Sequence, residues 1–143
     1  MTRLYYCFCS IVLLTLFTGC GSGNVGLRGT VTFSDDGSPV TTGTVAFRKD
    51  GRIARGDIKG DGTYIVGFER ESDGLPPGKY EVFIAGTDKV TVTVIDEEKG
   101  IYDYNYEPLI DRKYESPETS GLTVEVDSST KIFHIQVDRS QRR

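Results

Sequence analysis

Three tyrosines at alternate positions are the residues of this sequence best suited to binding chemistry. Tyr102, Tyr104 and Tyr106 lie in an acidic segment, residues 96–120, that is long for a connection between two strands. Side chains at every second position of an extended chain project to one side. Exposed rings of this kind can stack on sugars or pack against a protein partner. The alternative is that they are buried against the edge of the fold; a short helix or an edge strand could also lie here.

His134 is the only histidine, and its setting does not favour catalysis or metal binding. It alternates with the apolar Phe133, Ile135 and Val137, which predicts a position on the outer face of a strand. A metal or acid–base site needs convergent partners, and the sequence has no second imidazole. The serines show no Gly-x-Ser-x-Gly pattern or Ser-His-acid arrangement. The sequence therefore predicts a protein without catalytic residues, cofactor or metal.

Acidic residues recur at turns, where calcium binding and turn chemistry are the two interpretations. Calcium takes about six to eight oxygens in one place, and no stretch has the alternating acids of a calcium loop. Turn chemistry accounts for four aspartates: Asp35, Asp36, Asp50 and Asp61. The cluster Asp96, Glu97 and Glu98 is interpreted as a solvated loop. An enzyme with a carboxylate site within residues 96–111 remains an alternative.

Cys20 is the candidate for covalent modification. It follows an uncharged apolar run, residues 4–17, which begins after Arg3 and is typical of a secretory signal peptide. The stretch LFTGC resembles the lipobox of bacterial lipoproteins, in which the cysteine receives a diacylglycerol and the preceding peptide is removed. The resemblance implies a signal peptide over residues 1–19, and a lipidated Cys20 with a flexible tether over residues 20–25. Two or three acyl chains anchor a protein stably to a membrane.

Two alternatives to lipidation stay open. The first is an uncleaved membrane anchor, because the apolar run extended to Cys20 approaches the shortest length that spans a bilayer. The second is a signal peptide that happens to be followed by a cysteine. Cys7 and Cys9 would leave with the signal peptide, so no disulfide framework is expected. Gly21 stands where aspartate often retains lipoproteins in the inner membrane, and the resemblance thus implies an envelope protein facing the periplasm, with the outer membrane favoured.

Charge narrows the expected partners. Without residues 1–19 the chain has 16 basic and 21 acidic residues, a net charge of −5. No basic patch stands out, which argues against nucleic acid as a partner and against electrostatic adhesion to anionic lipid. The basic residues 139–143 are expected to form a short solvated tail.

From residue 26 onward the pattern is almost entirely period two, which predicts half-buried strands. Seven inward faces are expected: Leu27, Val31 and Phe33; Val45 and Phe47; Tyr64, Val66 and Phe68; Tyr80, Val82 and Ile84; Val90, Val92 and Val94; Leu122, Val124 and Val126; Phe133, Ile135 and Val137. Turn signals with Asp-Gly separate the runs. About seven short strands without a helical stretch predict an all-β, antiparallel sandwich or small barrel over residues 26–138.

Three stretches together resemble a carboxypeptidase regulatory-like domain: LRGTVTFSDDGSPVTTGTVAF, IKGDGTYIVG and GLPPGKYEVFIAG. The third stretch is the most recognisable, with Pro76 and Pro77 stiffening a turn and Gly78 leading into a strand. The C-terminal part is similar to small planctomycete-type envelope lipoproteins with a transthyretin-like (prealbumin-like) seven-stranded sandwich. Zinc carboxypeptidases, intradiol dioxygenases and hydroxyisourate hydrolases use more than one histidine, which this sequence lacks.

These features favour a non-catalytic, lipid-anchored envelope protein that serves as a structural or ligand-binding module. The alternative is a carbohydrate- or polymer-binding module that uses the Tyr-rich loop, residues 101–107. The expected partners are the membrane, through the lipid anchor, and an envelope protein or a polysaccharide.

Overall fold

A computed structural model describes residues 23–141. The predicted signal peptide and Cys20 lie outside the described residues. Within 23–141 no α-helix occurs, and the all-β prediction is confirmed. The elements are β1 (Arg28–Phe33), β2 (Thr44–Lys49), β3 (Arg52–Asp57), β4 (Thr63–Ile65), β5 (Gly78–Ala85), β6 (Asp88–Asp96), β7 (Ile101–Pro108), a 3₁₀ helix (Arg112–Glu115), β8 (Leu122–Val126) and β9 (Ile135–Val137).

Seven of these strands form two sheets. One has the order β4-β1-β9 and the other β3-β2-β5-β8. All neighbours are antiparallel except β1 and β9, which are parallel. A bridge between Arg55 and Gly67 links β3 to the chain just after β4. The two sheets, here called the body, enclose one hydrophobic core.

The core is centred on the ring of Phe47, which is fully buried on β2. Its centroid lies 6.2 Å from that of Tyr64, 6.5 Å from Tyr80 and 6.3 Å from Phe133, the last two in edge-on geometry. Aromatic pairs favour this range and tilt. The alternating residues predicted to face inward on β1, β2 and β5 are all buried. Residues from both sheets thus contribute to a single packed layer.

Turn chemistry sets two of the connections that hold these strands in register. Asp50 and Gly51 join β2 to β3 with φ of 50° and 75°, the two positive values that a tight hairpin turn of this kind requires. Gly78, at φ 139°, opens β5, and a Cβ there would lie 2.2 Å from Lys49 Nζ. Two residues later, the buried Tyr80 donates from its hydroxyl to the Pro76 carbonyl at 2.8 Å.

Two strands carry weak sequence signals and were not predicted. The inward positions of β3 are Ala54 and Gly56, which lack the bulky apolar side chains of a typical strand. Gly56 is required because a Cβ there would lie 2.5 Å from the Ile65 carbonyl oxygen. The other unpredicted strand is β7, which lies inside the long connection together with the 3₁₀ helix. The two alternatives for this segment, a short helix and an edge strand, are therefore both found in it.

Candidate functional site

Strands β6 and β7 form a separate two-stranded antiparallel sheet, here called the ribbon (residues 88–108). A turn over residues 97–100 joins them, in which Asp96 accepts from the backbone nitrogen of Lys99 at 3.1 Å and pairs with its Nζ at 2.9 Å. At about 3.4 Å per residue, the nine residues of β6 span roughly 30 Å. Within residues 23–141 neither strand pairs with any strand of the body.

One face of the ribbon, here called the Val/Tyr face, carries six uncharged side chains in three cross-strand pairs. The pairs are Val90 with Tyr106, Val92 with Tyr104, and Val94 with Tyr102. Their exposed fractions run from 46% to 60%. The three candidate tyrosines therefore share one side and face solvent, and the alternative of burial against the fold is wrong.

The three valines correct a second expectation, because they were predicted to belong to the core. Alternation shows which side chains share a face, but it does not show whether another layer covers that face. Here the only strand beside β6 is β7, and no described part of the body lies over the valines. The missed signal was the symmetry of VTVTV and YDYNY around the DEEKG turn, which together indicate a hairpin.

The opposite face of the ribbon is polar and the tip is acidic. Lys89 lies opposite Glu107, Thr91 opposite Asn105, and Thr93 opposite Asp103. Over residues 88–108 there are six acidic and two basic residues, a net charge of −4. A bulge between Val94 and Asp96 leaves Ile95 without a cross-strand partner, and its side chain is 63% exposed. Alternation places Asp88, which is half-buried at the base of the ribbon, on the same side as Val90, and the other charges lie on the polar face or at the tip.

The base of the ribbon is fixed to the body by backbone pairing. Leu109 donates to the carbonyl of the fully buried Thr87 at 3.4 Å. The next residues form a short ladder with the chain after β9, where Asp111 donates to Asp138 O at 2.9 Å and Ser140 donates to Leu109 O at 3.1 Å. The ribbon is therefore continuous with the edge of the sheet that contains β9, although only its base contacts that sheet.

A carboxylate beside this ladder ties the 3₁₀ helix to the body. Asp138 accepts from Ser34 Oγ at 2.7 Å, from Lys113 Nζ at 2.6 Å and from the Tyr114 hydroxyl at 3.1 Å. These donors, led by Lys113, lower the pKa of Asp138 to about 2. The ionised form of Asp138 therefore stabilises the region from which the ribbon projects.

The C-terminal basic segment is not a free tail at its start, contrary to the expectation. Arg139 pairs with Asp35 and Asp36, each at 2.8 Å, and its guanidinium lies 3.7 Å from the centroid of the Phe33 ring. Its backbone bridges to Ile110. Local charge pairing and stacking thus hold a residue that composition alone assigned to solvent.

The other candidate residues lie apart from the ribbon face. His134 is exposed, as predicted, but it lies just before β9 and not within it, with its Nδ1 2.8 Å from Thr30 Oγ1. The groove beside it, about 360 Å³, has Arg28 among its described lining residues but no carboxylate. Asp61 accepts from its own turn at Thr63, which fits turn chemistry.

A larger cleft of about 770 Å³ lies at the base of the ribbon. Its described lining includes Lys89, Asn105, Tyr106, Glu107 and Arg139. Glu107 is the one acidic residue among the described residues that line it. No group of three or more His, Cys, Asp or Glu side chains in residues 23–141 is placed to hold a metal ion. The described lining of this cleft therefore offers a single carboxylate.

The comparisons with known proteins are limited to distant structural similarity. No family model matches the sequence. No curated protein matches it either. Among solved structures, the chain is similar to a DUF3823 family protein from Bacteroides ovatus, at 18% identity and a TM-score of 0.44 over 81% of this chain and 45% of that one. It is also similar to the major pilin subunit of Bacillus cereus, at 13% identity and a TM-score of 0.45 over 82% and 30%.

A third similar structure is a 9R-lipoxygenase from Cyanothece, at 13% identity and a TM-score of 0.34 over 80% of this chain and 16% of that one. The chain spans less than half the length of each of the three. At these values the likeness carries no functional argument. Within residues 23–141, no helix is long and apolar enough to span a membrane.

The Asp138 contacts predict an acid-sensitive loss of stability. An aspartate has a pKa of about 4 when unfolded and Asp138 about 2 when folded, so its stabilisation is complete above about pH 4 and is lost as the pH falls toward 2. Urea unfolding from pH 7 to 2 should show Asp138→Asn less stable than wild type at neutral pH, with the difference narrowing in acid. The exposed Glu69→Gln serves as control. A difference that stays constant over this range would contradict the assignment.

Proposed function

We propose that this chain is a non-catalytic, lipid-anchored protein of a bacterial envelope whose body displays the ribbon as a binding surface. The proposal includes a body of the carboxypeptidase regulatory-like, transthyretin-like type, facing the periplasm, with the outer membrane favoured. The observation that carries it is the exposed, uncharged Val/Tyr face. The proposed partner is an envelope protein that covers this face.

The size and composition of the Val/Tyr face support a binding role. Each tyrosine is about half exposed, and since an aromatic side chain buries about 150–250 Å², the three rings present roughly 300 Å². The valines extend this surface without a gap. Contiguous apolar patches of a few hundred Å² are often functional, and tyrosine is enriched at protein interfaces.

The position of the ribbon supports the same conclusion. Residues 89–95 and 101–106 are exposed on both faces, so their side chains add little to the core of the body. A two-stranded hairpin alone is marginally stable in water. A surface that contributes so little to its own fold is better explained by contact with a partner.

The proposed anchor would hold the body close to the membrane. The described chain is attached to the body from Val25, which pairs with Leu75 at 2.7 Å and 2.9 Å. Five residue steps separate Val25 from Cys20, and at most about 3.6 Å per residue they reach less than about 20 Å. A lipid on Cys20 would therefore restrict the ribbon to partners within the envelope.

A second candidate function is polysaccharide binding through the same tyrosines. Three rings on one face, two residues apart along β7, can form a row on which sugar rings stack. Polar side chains lie nearby in the cleft at the base of the ribbon. A glycan array distinguishes this candidate, because only a carbohydrate-binding face would give a signal that is lost with the tyrosines.

The central test compares the two faces of the ribbon. The variant Tyr102→Ser/Tyr104→Ser/Tyr106→Ser removes the rings, and Thr91→Ala/Thr93→Ala alters the polar face without touching them. Crosslinking in intact cells, followed by affinity purification of the full chain, should recover an envelope partner with wild type and with the Thr variant. The Tyr variant should recover at least about tenfold less, since a few aromatic side chains dominate binding at most interfaces.

Both variants should keep the wild-type unfolding midpoint when it is measured on the purified chain at a dilution at which it has no partner, because the substituted side chains are exposed in the single chain. Equal recovery with all three proteins would contradict the role of the Val/Tyr face. Recovery lost with the Thr variant instead would assign binding to the polar face.

Lipidation of Cys20 predicts a mass change and a change in partitioning. The full chain produced in a bacterial host should lose residues 1–19, gain the mass of a diacylglycerol and partition into detergent. Cys20→Ala should remove the added mass and the detergent partitioning, because the thiol is the attachment point. An unmodified Cys20 in the wild-type chain would contradict the proposed lipidation.

A further inference from the structure

We infer that the partner of the Val/Tyr face is the same face of a second copy of this chain, an inference that rests on the proposed function and names its partner. The two ribbons would stack face to face and form a small two-layer sheet outside the bodies. Three observations support a second copy as the partner: the area of the face, its shape and the distribution of charge around it.

The area of the face suits a reversible dimer. Three half-exposed tyrosines and three half-exposed valines offer roughly 500 Å² per copy, or about 1,000 Å² for a pair. Specific interfaces begin at about this total area. A buried area of this size predicts a weak, reversible dimer. Anchoring both copies in one membrane would strengthen it, because their effective concentration rises.

The shape of the face is self-complementary. The valines form one column along β6 and the tyrosines form the other along β7. A two-fold axis parallel to the strands lays the valine column of one copy over the tyrosine column of the other. Small side chains then face large ones, which is how the facing layers of a well-packed core interdigitate. At the centre, Val92 would lie over Tyr104 of the partner subunit.

Charge favours a second copy over a lipid surface. None of the six side chains of the Val/Tyr face is charged, so two such faces approach without repulsion along their length, and Asp88, on the same side, is half-buried at the base of the ribbon. Apart from Asp88, the acids of the ribbon lie on its polar face and at its tip, where Lys99 is the one basic residue beside Asp96, Glu97 and Glu98. Segments that lie on anionic membranes carry basic residues around their apolar face. The tip has the opposite sign, which disfavours insertion into such a membrane.

Stacking of two ribbons would also stabilise each of them, since a hairpin alone is marginally stable. A lone hairpin becomes stable when further strands or a packed layer cover its apolar face. Stacked sheets lie about 10 Å apart, a distance that side chains of valine and tyrosine fill. The same contacts that form the dimer would thus hold both ribbons in their extended form.

The test measures the mass of the full chain in detergent by sedimentation equilibrium over a concentration series. Wild type and Thr91→Ala/Thr93→Ala should reach the mass of two copies. Tyr102→Ser/Tyr104→Ser/Tyr106→Ser should dissociate at least about thirtyfold more readily, because central aromatic residues carry most of the energy of an interface. If that variant does not fold, Val92→Lys places one charge on the face and should have the same effect.

Cysteine crosslinking in membranes tests the arrangement. Chains with Val92→Cys and Tyr104→Cys, carrying different tags and produced together, should be joined into a mixed dimer by a bismaleimide reagent with a spacer of about 8 Å, because facing positions on sheets about 10 Å apart are too distant for a direct disulfide. The matched pair Thr91→Cys and Asn105→Cys, on the polar face, should not. A wild-type chain that keeps the mass of one copy at every concentration, with no mixed crosslink, would overturn the inference.

The outcomes separate this inference from the proposed function. A one-copy mass together with tyrosine-dependent capture of another envelope protein would overturn the second copy as partner and leave the binding role intact. A one-copy mass with no tyrosine-dependent capture would overturn both. Glycan binding lost in the Tyr variant, with a one-copy mass, would favour the polysaccharide candidate instead.

Discussion

The Val/Tyr face of the ribbon has no covering layer within residues 23–141, and the proposed role of the molecule depends on this constraint. A sheet buries an apolar face only when another layer lies over it. Val92 and Tyr104 pair across the ribbon, yet each is about half exposed. The apolar side chains of the body pack into the core around Phe47. Burial of the Val/Tyr face therefore has to come from outside residues 23–141.

The body explains how such a face can be presented at a defined place. Backbone pairing of residues 109–111 with residues 138–140 continues the ladder of β9 to the ribbon base. Asp138 and Arg139 reinforce the same junction through charged contacts. Such exposed ion pairs contribute little individually, so the backbone ladder and the buried Ile110 bear most of the attachment. The base of the ribbon is therefore attached to the body at several points, whereas the rest of the ribbon is exposed.

The sequence predicts the body well because large apolar residues, such as Val31, Phe47 and Tyr80, recur at alternate positions along its strands and are buried. It does not indicate β3, whose inward positions are Ala54 and Gly56, since close approach of the backbone excludes larger side chains. The tyrosines are found from the sequence by their spacing. The valines are assigned to the wrong layer, because whether a face is covered depends on contacts between distant segments.

Excision of the ribbon tests the central claim most directly. Lys89 and Glu107 lie opposite each other, so an Asn-Gly hairpin turn can replace residues 90–106. The proposal predicts that the shortened chain keeps the cooperative unfolding midpoint of the full chain in urea, when both are measured at a dilution at which each has the mass of one copy. A large loss of stability would show that the Val/Tyr face packs on the body, which would contradict an exposed binding surface.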